Sequence, residues 1–192
     1  MSDAETRTKI LNAAQDLIQR WGANGMSYQH ISEAVGIRKP SIHHYFPTKE
    51  DLIEELVDRY SDYFLKMVDQ ISESQDSAKQ KLQRYAALFE ATLRAGSQDK
   101  ACLCGMLGAE LASLGNDSAA KIRHFYRENE KRLTRILEEG RKSREFRFEG
   151  DSGATAALIF SLLEGAVLIA RAQDGVKQFR GIAQQLMTLL KA

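Results

Sequence analysis

Two short helical segments joined by a glycine turn constrain the fold of this chain more than any other feature of its sequence. Ser27 precedes a run with the composition of a short helix, Gly36 supplies a turn with positive φ, and Pro40 fits only in the first turn of a following helix. Two helices joined by a turn of about three or four residues that contains Gly form a helix-turn-helix unit, whose second helix enters the DNA major groove. We therefore expect the second helix to begin at Arg38 or Lys39.

The remainder of the sequence also favours α-helix. The 192 residues include only two prolines, and long stretches are rich in strong helix formers. A first helix is predicted over Ala4–Trp21, because apolar residues repeat at helical spacing and should face the core: Ile10, Ala14, Leu17, Ile18 and Trp21. A fourth helix should begin after the capping pair Thr48 and Asp51 and reach Ile71. Further helices are expected over residues 77–95, 100–114, 117–139, 152–172 and 175–191, so the predicted fold is all-α.

Composition restricts the function classes. The net charge of +1 does not by itself indicate nucleic-acid binding, although residues 1–49 carry six Lys or Arg against four Asp or Glu. The polar start Met1–Lys9 predicts no signal peptide, and the apolar stretch Ala154–Ala170 is interrupted by Glu164 and is short for a membrane span. Two cysteines without metal-ligand spacing indicate a reducing, cytoplasmic setting. We expect no membrane partner, metal or cofactor.

An enzyme is the rival class. It would need converging acid, base or metal groups, and the sequence contains no His-Glu-x-x-His helix, Gly-rich phosphate loop or nucleophile elbow. We therefore expect a protein that is not an enzyme.

The second helix of the motif has one polar and one apolar side. Groups that can reach base edges or phosphates lie on or beside it, at Arg38, Lys39, Ser41, His43 and His44. Ile42 and Phe46, four residues apart, should face the three-helix core. Docking in a groove requires this split.

The block from Ile10 to Leu52, with its apolar first helix, glycine turn and run from His44 to Glu50, resembles the DNA-binding region of the TetR family of bacterial transcriptional repressors. The resemblance implies a DNA-binding head over residues 1–50 and a helical effector-binding and dimerisation body over residues 51–192. Its partners would be a double-stranded, palindromic DNA operator, a small-molecule effector and a second copy of the chain.

The same resemblance assigns roles within the head. It implies phosphate contacts from Ser27, Tyr45 and Lys49, and contacts near bases or backbone from Lys39 and His44, and we add Tyr28 to this set. Tyr45 could instead be a core aromatic. The family usually has Tyr at the position of His43, so the base contacts should differ, and Arg38 replaces a smaller capping residue and could read guanine or hold phosphate.

The last two predicted helices are apolar enough to form a two-fold interface. Small side chains would let helix backbones approach closely, and two helices from each copy would form a four-helix interface. The predicted interface residues are Leu158, Leu162, Gly165, Ala166, Ile169, Phe179, Ile182 and Leu186.

The effector pocket is harder to derive. Apolar residues that could line it, or simply form core, are Phe89, Leu93, Met106, Phe125 and Phe160. Cys102 joins them, because a capping Asp99 would place it in the first turn of a helix and lower its thiol pKa. The segment around it also resembles the corresponding region of a TetR-family member in which a cysteine senses electrophiles. Cys102 is thus either a thiol sensor or a small buried residue.

Overall fold

Nine α-helices make up most of residues 3–191, which are the residues that this computed structural model describes. They are α1 (Asp3–Gly25), α2 (Tyr28–Val35), α3 (Lys39–Tyr45), α4 (Lys49–Ser72), α5 (Ala78–Arg94), α6 (Leu103–Gly108), α7 (Asn116–Lys142), α8 (Ser152–Ala172) and α9 (Val176–Leu189). Extended pairing within this range is limited to an isolated antiparallel bridge between Phe146 and Lys191. The expected all-α fold is confirmed.

The helix-turn-helix has the caps that its sequence predicted. The Ser27 hydroxyl accepts a hydrogen bond from the backbone N–H of His30 (3.3 Å), and Gly36 ends α2 with φ 75°. Thr48 and Asp51 cap α4 reciprocally, through Thr48 N–H to the carboxylate (2.9 Å) and Asp51 N–H to the hydroxyl (3.1 Å). These local bonds satisfy N–H groups that a helix start leaves without partners.

Helix α1 corrects one expectation. Its core stripe is buried from Ile10 to Ile18, but Trp21 is 53% exposed. The helix is interrupted at Gly22 (φ 77°, ψ 171°), immediately after Trp21, and the indole packs edge-on against the His30 ring at 5.4 Å. The predicted core position of Trp21 is therefore wrong, because the stripe ends where the backbone leaves the helical path.

The helix expected over residues 100–114 is shorter than predicted. Helix α6 covers Leu103–Gly108, and a separate 3₁₀ turn follows at Leu111–Ser113. Two of the six residues of α6 are glycines, which are weak helix formers. Cys102 therefore precedes the helix, and the expectation that it lies in the first helical turn is wrong.

The chain groups into two compact units, one of them containing the helix-turn-helix. This head unit comprises the residues up to Asp62 together with Leu103–His124. Within it α1 packs against α2 and α6, and α2 packs against α3. Arg7 on α1 pairs with Glu55 on α4, lies over the Phe46 ring at 4.5 Å, and donates to the Tyr45 carbonyl at 3.2 Å. One side chain thus joins three helices, while the predicted domain boundary after residue 50 stays a prediction.

The body unit comprises Tyr63–Cys102 and the chain from Phe125 onward. Here α5, α8 and α9 pack against one another in pairs. Two basic groups that enter this packing are matched. The buried Lys81 ammonium donates to the Glu139 carboxylate at 2.8 Å. Arg132 pairs similarly with Asp69 at 2.6 Å. The predicted range of α8 agrees with the structure residue for residue.

We expect Gly22→Ala to destabilise the protein more than Gly36→Ala. Both glycines have positive φ, but a Cβ at Gly36 meets open space whereas a Cβ at Gly22 meets the Glu110 carboxylate. Gly36→Ala should cost about 1–2 kcal/mol of backbone strain. Gly22→Ala adds the displacement of Glu110 and should cost at least about twice as much. Urea unfolding of the two variants measures the difference, and equal losses would contradict it.

Candidate nucleic-acid interface and effector core

The exposed side of α3 carries the side chains predicted to contact DNA. Arg38, Lys39, Ser41, His43 and His44 are exposed, while Ile42 and Phe46 are 0% and 1% exposed. Arg38 stands at the N-cap of α3 without a capping bond from its side chain. The split between a polar outer side and an apolar inner side is confirmed.

Helices α2, α3 and α4 together form a cleft of about 310 Å³ in the head unit. Its lining consists of Met26 and five of the predicted DNA contacts: Ser27, Tyr28, Lys39, His43 and Lys49. The two lysines make the cleft cationic, and α2 begins with its N-terminus at Ser27. A phosphate group suits this combination of ammonium groups and helix N-terminus.

Lys49 has a structural role in addition to its predicted one. Its Nζ donates hydrogen bonds to the carbonyls of Ala23 and Met26, the latter at 2.8 Å. Burial lowers the pKa of Lys49, and the Glu110 carboxylate partly offsets this effect. Because an ammonium group has three N–H donors, one remains for a phosphate.

Tyr45 is also engaged within the head. Its hydroxyl donates to the Asp3 carboxylate at 2.9 Å, and this hydrogen bond raises the pKa of Tyr45. The residue is half-buried, so it is neither fully core nor fully exposed. A phosphate contact from Tyr45 stays a prediction and would require its hydroxyl to exchange partners.

Glu110 is a residue that the sequence analysis missed. Its carboxylate accepts the backbone N–H groups of Ala23 (2.6 Å) and Asn24 (3.1 Å), immediately after the break at Gly22. With Lys49 on the carbonyls of the same turn, Glu110 forms what we call the α1–α2 clasp, defined by Gly22, Ala23, Met26, Lys49 and Glu110. No local pattern identifies Glu110, since its partners lie 86 or more residues away.

Aromatic rings fill the centre of the body unit. Phe89 lies 6.3 Å from Phe160 and Phe125 lies 6.5 Å from Phe160, so three of the predicted pocket residues meet. Leu93 is fully buried in the same unit. The structure places Met106 in the head unit, on α6. The predicted effector set is therefore divided between the two units.

One acidic side chain enters this apolar body. Glu164 follows Phe160 by one turn on α8, and although the residue is half-buried overall, its Oε1 is buried without a hydrogen-bond partner among the described residues. Burial raises the pKa of Glu164 to about 7, and a hydrogen bond with the Cys102 thiol opposes the shift. Burial, with Glu164 and Cys102 nearby, also raises the pKa of the Tyr85 hydroxyl, which donates to Asn129 at 3.2 Å.

The buried polar cluster of Tyr85, Cys102, Asn129 and Glu164 was not predicted as a group. Its one sequence signal is the acidic residue that interrupts the apolar stretch Ala154–Ala170. Cys102 is 2% exposed and Cys104 is fully buried. Cys102 is buried and hydrogen-bonded to Glu164, which is typical of an unreactive cysteine, and electrophile sensing by Cys102 stays a prediction.

The predicted interface residues divide by exposure. Leu158 and Ile169 are 66% and 53% exposed on α8, whereas Ala166, Phe179 and Leu186 are buried inside the protomer. Leu162, Gly165 and Ile182 are half-buried. Ala166, Phe179 and Leu186 thus belong to the core of the chain itself, while Leu158 and Ile169 form an exposed apolar surface on the outer side of α8.

Helix α8 is the one described helix that is long and apolar enough to cross a membrane by length and composition alone. Its inner side packs on α5 and α9, which is also how a core helix of a globular protein behaves. Among residues 3–191, no group of three or more His, Cys, Asp or Glu side chains is placed to hold a metal ion.

A small helical head with a polar second helix, joined to a helical body, defines a helix-turn-helix regulator. Comparison with known proteins specifies the family. Residues 10–56 match "Bacterial regulatory proteins, tetR family", and residues 78–186 match "Tetracyclin repressor-like, C-terminal domain". The chain belongs to the TetR family of transcriptional regulators, which confirms the resemblance and the expectation that it is not an enzyme.

Individual relatives agree with this assignment. Transcriptional regulator AcuR of Cereibacter sphaeroides is 24% identical over 163 residues, which cover 84% of this chain and 74% of AcuR. The HTH-type transcriptional repressor NemR of Escherichia coli is 24% identical over 174 residues, or 88% of this chain and 86% of NemR. A TetR-family regulator from Agrobacterium tumefaciens has a similar structure, with a TM-score of 0.93, 29% identity and full coverage of both chains.

We expect Glu164 to make stability fall as pH rises. Its pKa is about 7 in the folded protein against 4.5 for an ordinary glutamate. Between these values the unfolded chain has lost the proton and the folded chain keeps it. The free energy of unfolding therefore falls by roughly 3 kcal/mol between pH 4.5 and about pH 7, and this contribution is constant at higher pH.

Glu164→Gln should remove this contribution. The variant should match wild type near pH 4.5 and be more stable than wild type at pH 8, as measured by urea unfolding. Glu138→Gln, at an exposed position on α7, is the control and should follow wild type at both pH values. A Glu164→Gln curve parallel to that of wild type would show that the carboxyl is not held neutral.

Proposed function

We propose that this protein is a cytoplasmic, homodimeric repressor that binds a palindromic operator and is released from it by a small-molecule effector. The observation that carries the proposal is the cationic cleft between α2, α3 and α4, beside an exposed polar α3. Relatives named as a transcriptional regulator and a transcriptional repressor support the same function.

The head supplies both kinds of contact that operator binding needs. The lysines and the N-terminus of α2 suit the phosphate backbone, which contributes affinity without sequence information. Arg38, Ser41, His43 and His44 are exposed along α3 and are available to base edges. The buried Ile42 and Phe46 hold α3 against the rest of the head, so its outer side is presented rigidly.

Dimerisation would use the outer side of α8. Leu158, Leu168 and Ile169 are exposed there, and a Cβ added at Gly165 would meet no atom of the described residues within 4 Å. A two-fold axis beside this surface buries the same apolar patch from both copies. The dimer would then present two α3 helices to successive major grooves, about 34–36 Å apart.

The effector would bind in the body unit, among Phe89, Phe125 and Phe160. Glu164 supplies the polar partner there, because its buried Oε1 atom can accept a hydrogen bond from a donor on the ligand. Pockets that combine apolar walls with a few polar groups are the usual sites for small molecules. The effector lowers operator affinity only to the extent that it prefers a conformation in which the two α3 helices no longer match the grooves.

A route for this response is present in the covalent chain. Cys102, which hydrogen-bonds with Glu164 in the body unit, is followed directly by α6 of the head unit. Two residues after α6, Glu110 holds the α1–α2 turn. A shift at Cys102 would therefore reach the α1–α2 clasp through a segment of eight residues, numbers 103–110.

Two lysine variants test operator binding. Lys39→Ala should reduce the slope of log affinity against log salt by about two units on any DNA, about one for each copy in the dimer, and leave thermal stability unchanged, because Lys39 is exposed. Lys49→Ala should reduce the slope and also the melting temperature, because Lys49 holds two backbone carbonyls. The proposed cleft contact fails if the salt slopes of both variants equal that of wild type.

Arg38→Ala gives the complementary readout on the same DNA. If Arg38 reads a base, the variant should lose about 1–3 kcal/mol for each half-site and relax the preference at one base pair per half-site. A loss that is equal on operator and random DNA would identify Arg38 as a phosphate contact.

The interface proposal predicts monomers after charge insertion on α8. Gly165→Arg and Ile169→Arg should each raise the dimer dissociation constant at least about 30-fold, the equivalent of about 2 kcal/mol. Analytical ultracentrifugation measures the change, and circular dichroism checks folding. Tyr63→Arg, at a 66% exposed position on α4, is the control. Normal dimers from both α8 variants would place the interface elsewhere.

A further inference from the structure

His43 is held in a defined orientation on the outer side of α3. The residue is exposed, and its Nδ1 lies 3.2 Å from the backbone carbonyl oxygen of Pro47. A carbonyl oxygen can only accept a hydrogen bond, so the Nδ1 atom must carry the hydrogen. In a neutral imidazole the other nitrogen, Nε2, is then an acceptor with a free lone pair.

Tyr28 fixes the same ring from a second side. Its ring packs against the His43 ring with centroids 4.7 Å apart and an angle of 57° between the planes. Burial raises the pKa of Tyr28 to about 12, so its hydroxyl stays protonated and donates toward the carbonyls of Phe46 (2.9 Å) and Thr48 (2.6 Å). The ring that supports His43 is therefore itself anchored to the backbone that follows α3.

Within the described part of the chain, Nε2 of His43 has no hydrogen-bond partner. The imidazole thus offers one oriented acceptor beside the exposed donors Arg38 and Lys39. An acceptor at this place selects against most groups on DNA. Phosphate oxygens, N7 and O6 of guanine and O4 of thymine are all acceptors themselves.

We infer that His43 reads one exocyclic amino group in each operator half-site, N6 of adenine or N4 of cytosine, through its Nε2 atom. These amino groups are the two hydrogen-bond donors that base pairs present in the major groove. The inference rests on the proposed operator binding and adds a specificity rule to it. Lys39 and Lys49, which share the cleft with His43, supply the positive charge for phosphate, so His43 is not needed for that role.

The first test is selection of binding sites from a random DNA library by the protein at pH 8.5. Wild type should yield a palindrome in which one position per half-site contains only adenine or cytosine on the contacted strand. His43→Phe, which keeps a ring but has no acceptor, should recover the same palindrome with all four bases at that position. His43→Arg, which offers only donors, should shift that position to guanine.

His124→Phe is the control. His124 is exposed on α7 in the head unit and lies outside the set of proposed DNA contacts. The variant should keep both the palindrome and the adenine or cytosine preference that depends on His43.

The second test removes only the amino group from the DNA. In the selected operator the contacted adenine is replaced by purine deoxyriboside, or the contacted cytosine by 2-pyrimidinone deoxyriboside, in both half-sites. Wild-type affinity should fall about 10- to 100-fold, since two half-sites each lose one hydrogen bond of about 1 kcal/mol or more. The same removal of the amino group should change the affinity of His43→Phe by less than about 2-fold. The effects of the base change and of the His43 substitution would then be non-additive, as expected for two groups in contact.

The outcomes separate this inference from the function on which it rests. If no palindrome is recovered with wild type, operator binding itself fails. If a palindrome is recovered but the His43→Phe preferences equal those of wild type, or if wild type selects guanine or thymine at the position that His43→Phe relaxes, the amino-group rule is wrong. A uniform loss of affinity in His43→Phe on all sequences would make His43 a phosphate contact and would also overturn the inference.

Discussion

The α1–α2 clasp is the interaction on which the geometry of the head depends. At Gly22 the backbone leaves the helix in a conformation that residues other than glycine rarely adopt. The turn that follows has N–H and carbonyl groups without partners inside the helix. The Glu110 carboxylate accepts hydrogen bonds from the N–H groups, and the Lys49 ammonium donates to the carbonyl oxygens. Each backbone group is therefore paired with a side chain of opposite charge. Backbone groups that are buried without partners are costly, which makes this pair of side chains a structural requirement.

The clasp also explains why residues far apart in sequence act together in the head. Ser27, the N-cap of α2, directly follows Met26, and Lys49 donates a hydrogen bond to the Met26 carbonyl. Lys49 begins α4, and Glu110 belongs to the segment that follows α6. The cleft that we propose for phosphate is therefore built on the same turn to which the Glu110 segment is tied. The proposed operator contacts and the position of that segment would therefore depend on one set of hydrogen bonds.

Ion pairs occur in both units, and one acid of the body departs from this pattern. In the head, ions such as Arg7 and Lys121 are paired near the surface, Arg7 with Glu55 and Lys121 with Asp58 at 2.7 Å. In the body, the Oε1 atom of Glu164 has no hydrogen-bond partner among residues 3–191, and burial raises the pKa of this carboxyl to about 7. A buried acid lowers stability when it ionises, and groups with strongly shifted pKa values cluster at functional sites.

Local patterns in the sequence determined the helices, the caps at Ser27 and Thr48, the turn at Gly36 and the two-sided character of α3, because each depends on residues within four positions of one another. They also sufficed for the family. Tertiary structure decided what depends on distant partners: Glu110 binds the turn that follows the break at Gly22, and Cys102 meets Glu164. Lys49 binds the same turn from another part of the sequence, and Tyr28 packs against the His43 ring. Hydrogen-bond geometry and burial of this kind arise only when the folded chain brings separate segments within a few ångströms. The spacing of apolar residues along the sequence does not predict such contacts.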